Sequence, residues 1–218
     1  MAGKNRKNPK QAMIRLIAII LCALLAGSAV VGTLISIAYA EEENALTTKL
    51  DIVFDETHLG LRVRQETEFL NDTGEKITSV IFSLPANAYR FLDAQTGTLT
   101  PGGVDFFQVE ADGEPARWAV SGTKETVLRV EKALENGEKA VFAFGYDVVL
   151  PSGAGFLGSG EMGVRLSFFY PEPAFYNEAT GAFEPVQVSD WGDFYRAKPR
   201  DFDISIEHDA RYLVVSGG

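Results

Sequence analysis

Leu61-Arg62-Val63-Arg64-Gln65-Glu66-Thr67-Glu68-Phe69 is the stretch on which the fold turns. Leu61, Val63, Thr67 and Phe69 share one side of a period-two pattern; Arg62, Arg64, Glu66 and Glu68 share the other. Successive side chains of an extended chain point to opposite faces, so this stretch reads as a strand with one buried and one wet face. Phe202, Ile204 and Ile206 alternate in the same way with Asp201, Asp203, Ser205 and Glu207. Further apolar, β-branched or aromatic runs occupy 48–54, 77–84, 104–110, 125–130, 138–150, 164–170 and 211–216. Asn71-Asp72-Thr73-Gly74, Asp112-Gly113, Glu135-Asn136-Gly137 and Thr180-Gly181 supply the residues that chain reversals need. Apart from one turn near 86–92, no helix of ordinary length is predicted after residue 45. The expectation is an all-β fold over 46–218, an antiparallel β-sandwich or saddle-like domain.

The N-terminus obeys a different rule. Lys4, Arg6, Lys7, Lys10 and Arg15 form a basic head without an acidic residue, and Leu16–Ala40 carries no charge. An apolar run of that length spans a hydrocarbon core of about 30 Å as a helix, with its basic flank held in the cytoplasm. Residues 1–40 are therefore expected to be a signal peptide or signal-anchor helix, followed by an acidic linker at 41–45. Ala38-Tyr39-Ala40 matches the small-x-small pattern of a signal peptidase site, whereas the length of the run favours retention. Two locations follow: the cell membrane with an extracytoplasmic domain, or secretion after cleavage at Ala40.

The chain has 20 basic and 30 acidic residues. With five of the basic and none of the acidic residues in the first 40, the remainder holds 15 against 30, a formal −15. Such a surface repels nucleic-acid phosphates and anionic lipid, so nucleic acid is excluded as a partner. The single cysteine, Cys22, lies inside the apolar run, which leaves the exported part without disulfides.

Motifs for chemistry are sparse. Gly153-Ala154-Gly155-Phe156-Leu157-Gly158 spells a dinucleotide fingerprint, but more glycines and a strand follow it instead of a helix, so it reads as a flexible loop. His58 and His208 lack a helical partner, and Asp201 with Asp203 fits the wet face of a strand better than a calcium site. No catalytic or metal residue is assigned. Aromatic density is high between 168 and 195, where Tyr170, Tyr176, Trp191 and Tyr195 are the candidate contacts to a partner or ligand. Rings on loops stack on sugars or peptides, but more often they pack a long connection over a sandwich.

Several stretches in order carry a family resemblance: Asn71–Gly74, Ile81–Leu84 and Asn87-Ala88-Tyr89-Arg90; Gly102-Gly103-Val104 leading to Asp112–Pro115; Leu134–Glu138 before Phe142–Pro151. Phe169-Tyr170-Pro171, Trp191–Phe194, Asp201–Ile206 and Tyr212–Gly217 complete the series. Over about 46–218 the chain resembles the N-terminal β-domain of the membrane alanyl aminopeptidase-like zinc metallopeptidases, the gluzincins. The resemblance implies a non-catalytic domain that caps a catalytic domain. That second domain would carry His-Glu-x-x-His, a further glutamate ligand and zinc; none of these motifs stands in this chain, so zinc is expected only there. Arg211–Val215 reads as a strand and Ser216-Gly217-Gly218 as the turn after it, which is the expectation for a chain truncated before its next strand. The alternative is a self-sufficient extracellular module that grips carbohydrate or peptide through the 168–195 aromatics.

Overall fold

The computed structural model describes residues 45–91, 98–153, 156–160, 163–186 and 198–215. The chain divides into two compact units, Met1–Ala45 and Leu46–Gly218. The apolar run 16–40 and the Ala38/Ala40 site lie outside the described residues. Among those described, no helix is long and apolar enough to cross a membrane.

Among the described residues sixteen strands follow in chain order. The longer early ones are β1 (Leu46–Asp55), β2 (Gly60–Leu70) and β3 (Ile77–Ser83), then β4 (Thr98–Thr100), β5 (Gly103–Ala111), β6 (Glu114–Pro115) and β7 (Trp118–Ser121). Next come β8 (Val127–Leu134), β9 (Lys139–Val149), β10 (Ser152–Gly153), β11 (Leu157–Gly160) and β12 (Gly163–Leu166). The last are β13 (Glu172–Pro173), β14 (Phe175–Asn177), β15 (Ala182–Glu184) and β16 (Arg200–Glu207). The turn expected near 86–92 is a single 3-10 turn, Pro85–Tyr89.

A six-stranded sheet runs β16-β1-β2-β9-β5-β6, and a four-stranded sheet runs β13-β3-β8-β7. A second four-stranded sheet, β12-β11-β10-β4, and the β14-β15 hairpin complete the set. Leu61, Val63, Thr67 and Phe69 are buried as their parity predicts, beside Leu50 and Ile52 of β1 and Phe142, Phe144 and Tyr146 of β9. The two larger sheets meet face to face through aromatic edges. Phe82 of β3 stands T-shaped at 5.1 Å from Phe142 and 5.0 Å from Phe144, the favoured arrangement for paired rings.

Four expectations need correction. The sheets are mainly antiparallel, but β16 pairs with β1 in parallel and β10 with β11 likewise. The glycine-rich stretch is not simply a loop: Leu157–Gly160 is a strand paired with β12, and Leu157 is buried. The run 164–170 is extended only to Leu166, because Phe168 adopts φ 55°, which L-residues rarely hold, and turns the chain. Residues 211–215 are not a strand. Asp209 reverses the chain by accepting Arg211 N–H at 2.9 Å on its side chain and Tyr212 N–H at 3.0 Å on its carbonyl. Arg211 then clamps Glu56 through two hydrogen bonds of 2.7 Å, holding this segment against the turn after β1.

Candidate docking site at the open edge of the large sheet

The large sheet is wider than the sheet that covers it. Phe82 of β3 lies over β9, and Trp118 of β7 meets Phe106 of β5 at 5.6 Å, so the covering layer sits above the middle and the β5 side. At the other side the facing sheet ends in β13, only two residues long. The register places Phe202 beside Thr48, Ile204 beside Leu50 and Ile206 beside Ile52. Side chains aligned in this way share a face, so Phe202 and Ile204 continue the core side of the sheet. Leu50 and Ile52 are 1% and 2% exposed there, yet Phe202 is 42% and Ile204 50% exposed. Leu213 and Val215, beyond the strand, are also exposed. An inward-facing apolar row thus runs out from under its cover at β16.

Beneath the root of this strand lies a buried polar nest. Tyr146 donates to Gln65 Oε1 at 2.9 Å, and Gln65 Nε2 donates to Thr67 Oγ1 and to the Pro171 carbonyl, both at 2.7 Å. Arg200 Nη1 donates to Thr48 Oγ1 at 2.8 Å and to the Glu68 carbonyl at 3.3 Å. Glu172 is 5% exposed, and its Oε2 and the Nε of Arg200 are buried without a hydrogen-bond partner. Their charges act on one another, but no direct ion pair joins them. Burial pushes the Glu172 carboxyl up to about 7 despite the opposing pull of Arg200. Burial also lowers the Arg200 guanidinium and, with the Glu172 charge, raises the Tyr170 phenol.

The candidate aromatics separate once placed. Tyr170 packs edge-on against Phe202 at 5.5 Å and against Phe169 at 5.4 Å, a structural role at the edge of the apolar row. Tyr176 sits on the β14-β15 hairpin, donating to Glu75 Oε1 at 3.2 Å and meeting Phe183 at 5.2 Å; Phe183 in turn lies 6.5 Å from the core ring of Phe69. Tyr170 and Tyr176 thus pack against different neighbours, and Trp191 and Tyr195 lie outside the described residues. Sequence reasoning missed Glu172, Arg200 and Gln65. For two of them a signal existed: Gln65 and Arg200 occupy inward parity in β2 and β16, where an apolar residue belongs.

Chemistry finds little purchase elsewhere. His58 Nδ1 and Asp55 Oδ2 lie 2.7 Å apart on an exposed turn. No group of three or more His, Cys, Asp or Glu among the described residues is arranged to hold a metal. A shallow groove of about 420 Å³ lies along β7 and β8, lined by Arg117, Trp118 and Arg129 among others.

No family profile matches the sequence, and no curated protein matches it. Solved structures do show a likeness. A two-domain M1 zinc metallopeptidase variant bound to L-arginine is 12% identical with a TM-score of 0.37, over 74% of this chain and 32% of that one. The M1 zinc metallopeptidase from Deinococcus radiodurans is 12% identical with a TM-score of 0.36, over 53% and 24%. Leukotriene A4 hydrolase from Saccharomyces cerevisiae is 13% identical with a TM-score of 0.34, over 47% and 14%. The chain thus spans about a third or less of the length of these proteins. Nothing about activity passes to it from likenesses this shallow.

Proposed function

We propose that residues 46–218 are the non-catalytic N-terminal β-domain of an exported, membrane-tethered zinc aminopeptidase-like protein, and that the β16 edge packs against its catalytic domain. The observation that carries the reading is the half-exposed Phe202 and Ile204 in line with fully buried Leu50 and Ile52. An isolated domain gains by covering such a row, at about 25 cal/mol per Å² of apolar surface removed from water. The ordered series of sequence motifs supports a catalytic domain as that partner, since the gluzincin N-terminal domain that the chain resembles caps one. The basic-headed apolar run 16–40 supplies the tether. In this arrangement zinc, the water-activating glutamate and the substrate's amine-binding strand belong to the partner domain, and this domain shapes one wall of the cleft.

A photo-crosslinking amino acid placed at Ile204 tests the assignment in the native membrane. The expected product joins position 204 to a peptide of a His-Glu-x-x-His-bearing domain, whether in the same polypeptide or in a second one. The same probe at Asp203, on the opposite face, gives none. Crosslinks from position 204 only to lipid or water, or equal yields from both positions, overturn the reading.

A further inference from the structure

The root of the docking strand holds the least satisfied charges among the described residues. Tyr170, Pro171 and Glu172 form one wall of it. Pro171 is fixed by Gln65, Glu172 pairs with Ser83 of β3, and Tyr170 lies edge-on to Phe202. Arg200 forms the other wall, held by Thr48 and the Glu68 carbonyl. Tyr170 packs on Phe202, and the charges of Glu172 and Arg200 act on one another without a direct ion pair, so both pairs couple the 170–172 segment to the first residues of β16. Across β16 from β1 no other strand adds support among the described residues.

The geometry points to Glu172 as a proton-operated catch: neutral, it lets β16 seat and the apolar row form, and ionised, it loosens the root of the strand. This regulation rests on the docking reading of the β16 edge. A neutral carboxyl fits a buried site in which one oxygen has no partner. An ionised one must be solvated or must recruit Arg200, the cation that faces it, and recruitment draws the guanidinium away from Thr48 and Glu68.

The other charged or titratable groups facing the nest do not do this work. Burial raises the phenols of Tyr170, from the same segment, and Tyr146, from β9, so both stay uncharged around neutral pH. Glu68 faces Arg200 from β2 but accepts the Thr47 N–H at 3.0 Å on the strand it braces. Glu172 thus stands apart as the buried carboxyl whose neutralisation leaves no hydrogen bond broken.

The sign follows from linkage. Glu172 is raised in the folded chain from 4.5 to about 7, so the seating it favours is complete below the ordinary glutamate range and is lost as pH rises through about 7. That shift corresponds to a weakening of the seating equilibrium on the order of a hundredfold.

Amide hydrogen exchange of the full chain between pH 5 and pH 8, corrected for intrinsic rates, reads it directly. Protection of 200–207 should fall by about two orders of magnitude over that range. In Glu172→Gln, neutral at every pH, protection of 200–207 should stay at its pH 5 value, which also separates Glu172 from Glu68. A flat profile for 200–207 in the parent protein overturns the proposal without recourse to any variant, and so does a Gln variant that shares the parent's loss. The exchange measurement needs no partner. A pH-dependent catch together with failed crosslinking at Ile204 would remove the docking reading alone, and a flat exchange profile with successful crosslinking would remove the catch alone.

Discussion

Replacing Asn71 by alanine should be among the costliest single changes in the domain, although the residue begins what reads as an ordinary turn. Its side chain is fully buried, and Nδ2 donates to the carbonyls of Glu75 at 2.8 Å, Leu134 at 3.0 Å and Glu135 at 3.0 Å. Its Oδ1 accepts Thr73 N–H at 3.2 Å and the Thr73 hydroxyl at 2.8 Å. The backbone repeats the connection, with Asn71 N–H donating to Glu138 O at 2.9 Å and Gly137 N–H to Asn71 O at 2.6 Å. One amide therefore ties the 71–75 turn to the 134–138 turn. Truncation leaves Glu135 O with Glu138 N–H at 3.1 Å and Glu75 O with the Thr73 hydroxyl at 3.1 Å, while Leu134 O loses the amide and the Thr73 N–H loses its acceptor. Two net hydrogen bonds at about 1 kcal/mol each, plus the desolvation of a carbonyl left wanting, give roughly 2–4 kcal/mol. With a urea m-value of about 2 kcal/mol/M, the midpoint should drop by roughly 1–2 M with the slope unchanged. Asn71→Asp should cost at least as much at neutral pH, because a carboxylate then faces three carbonyl oxygens. Its deficit should shrink as pH falls, since the acid must be protonated to donate. Urea unfolding followed by tryptophan fluorescence checks both. An alanine variant within about 0.5 kcal/mol of the parent would refute the idea that this amide staples two turns.

Three further outcomes follow from the packing. Tyr146→Phe strips Gln65 Oε1 of its donor in a fully buried site, so unfolding should cost about 1–3 kcal/mol less in urea titration. Gly102→Ala and Gly145→Ala should differ sharply: a Cβ at 102 meets Val149 O at 2.4 Å and Pro151 N at 2.6 Å, which are backbone, whereas at 145 it meets the ring of exposed Phe107 at 2.4 Å, which can swing aside. Thermal unfolding should show a loss of about 1–3 kcal/mol for the first and a smaller one for the second. Phe142→Ala removes a ring that touches Phe69, Phe82 and Phe144, and should cost about 3–5 kcal/mol in the same titration.

Much of the strand content was legible because alternation is a local property. Leu61 to Phe69 and Phe202 to Ile206 each announce a two-faced strand, and both are strands. Short elements such as β6, β10 and β13 escaped because two residues carry no period. The segment 211–215 was misread for the converse reason. Tyr212, Leu213, Val214 and Val215 have strand composition, but Asp209 and the Arg211–Glu56 clamp decide their path, and that clamp joins residues distant in sequence.

The docking edge was half legible, and the missing half is topological. Alternation says that Arg200, Phe202, Ile204 and Ile206 share one side; it cannot say that β16 returns to lie outside β1, where the covering sheet has ended. The same fact accounts for both features found there. Phe202 and Ile204 face inward with too little above them, and Arg200 faces inward where the 170–172 segment brings a carboxylate instead of a hydrocarbon. A stable edge strand is usually guarded by charge, and β16 has that guard only on its outer face, in Asp201, Asp203 and Glu207. Charge on the outer face discourages indiscriminate sheet pairing, while the exposed Phe and Ile leave the core side open. Their alignment with the buried residues of β1 distinguishes the β16 row from apolar residues such as Leu59 and Phe91 that are exposed in turns.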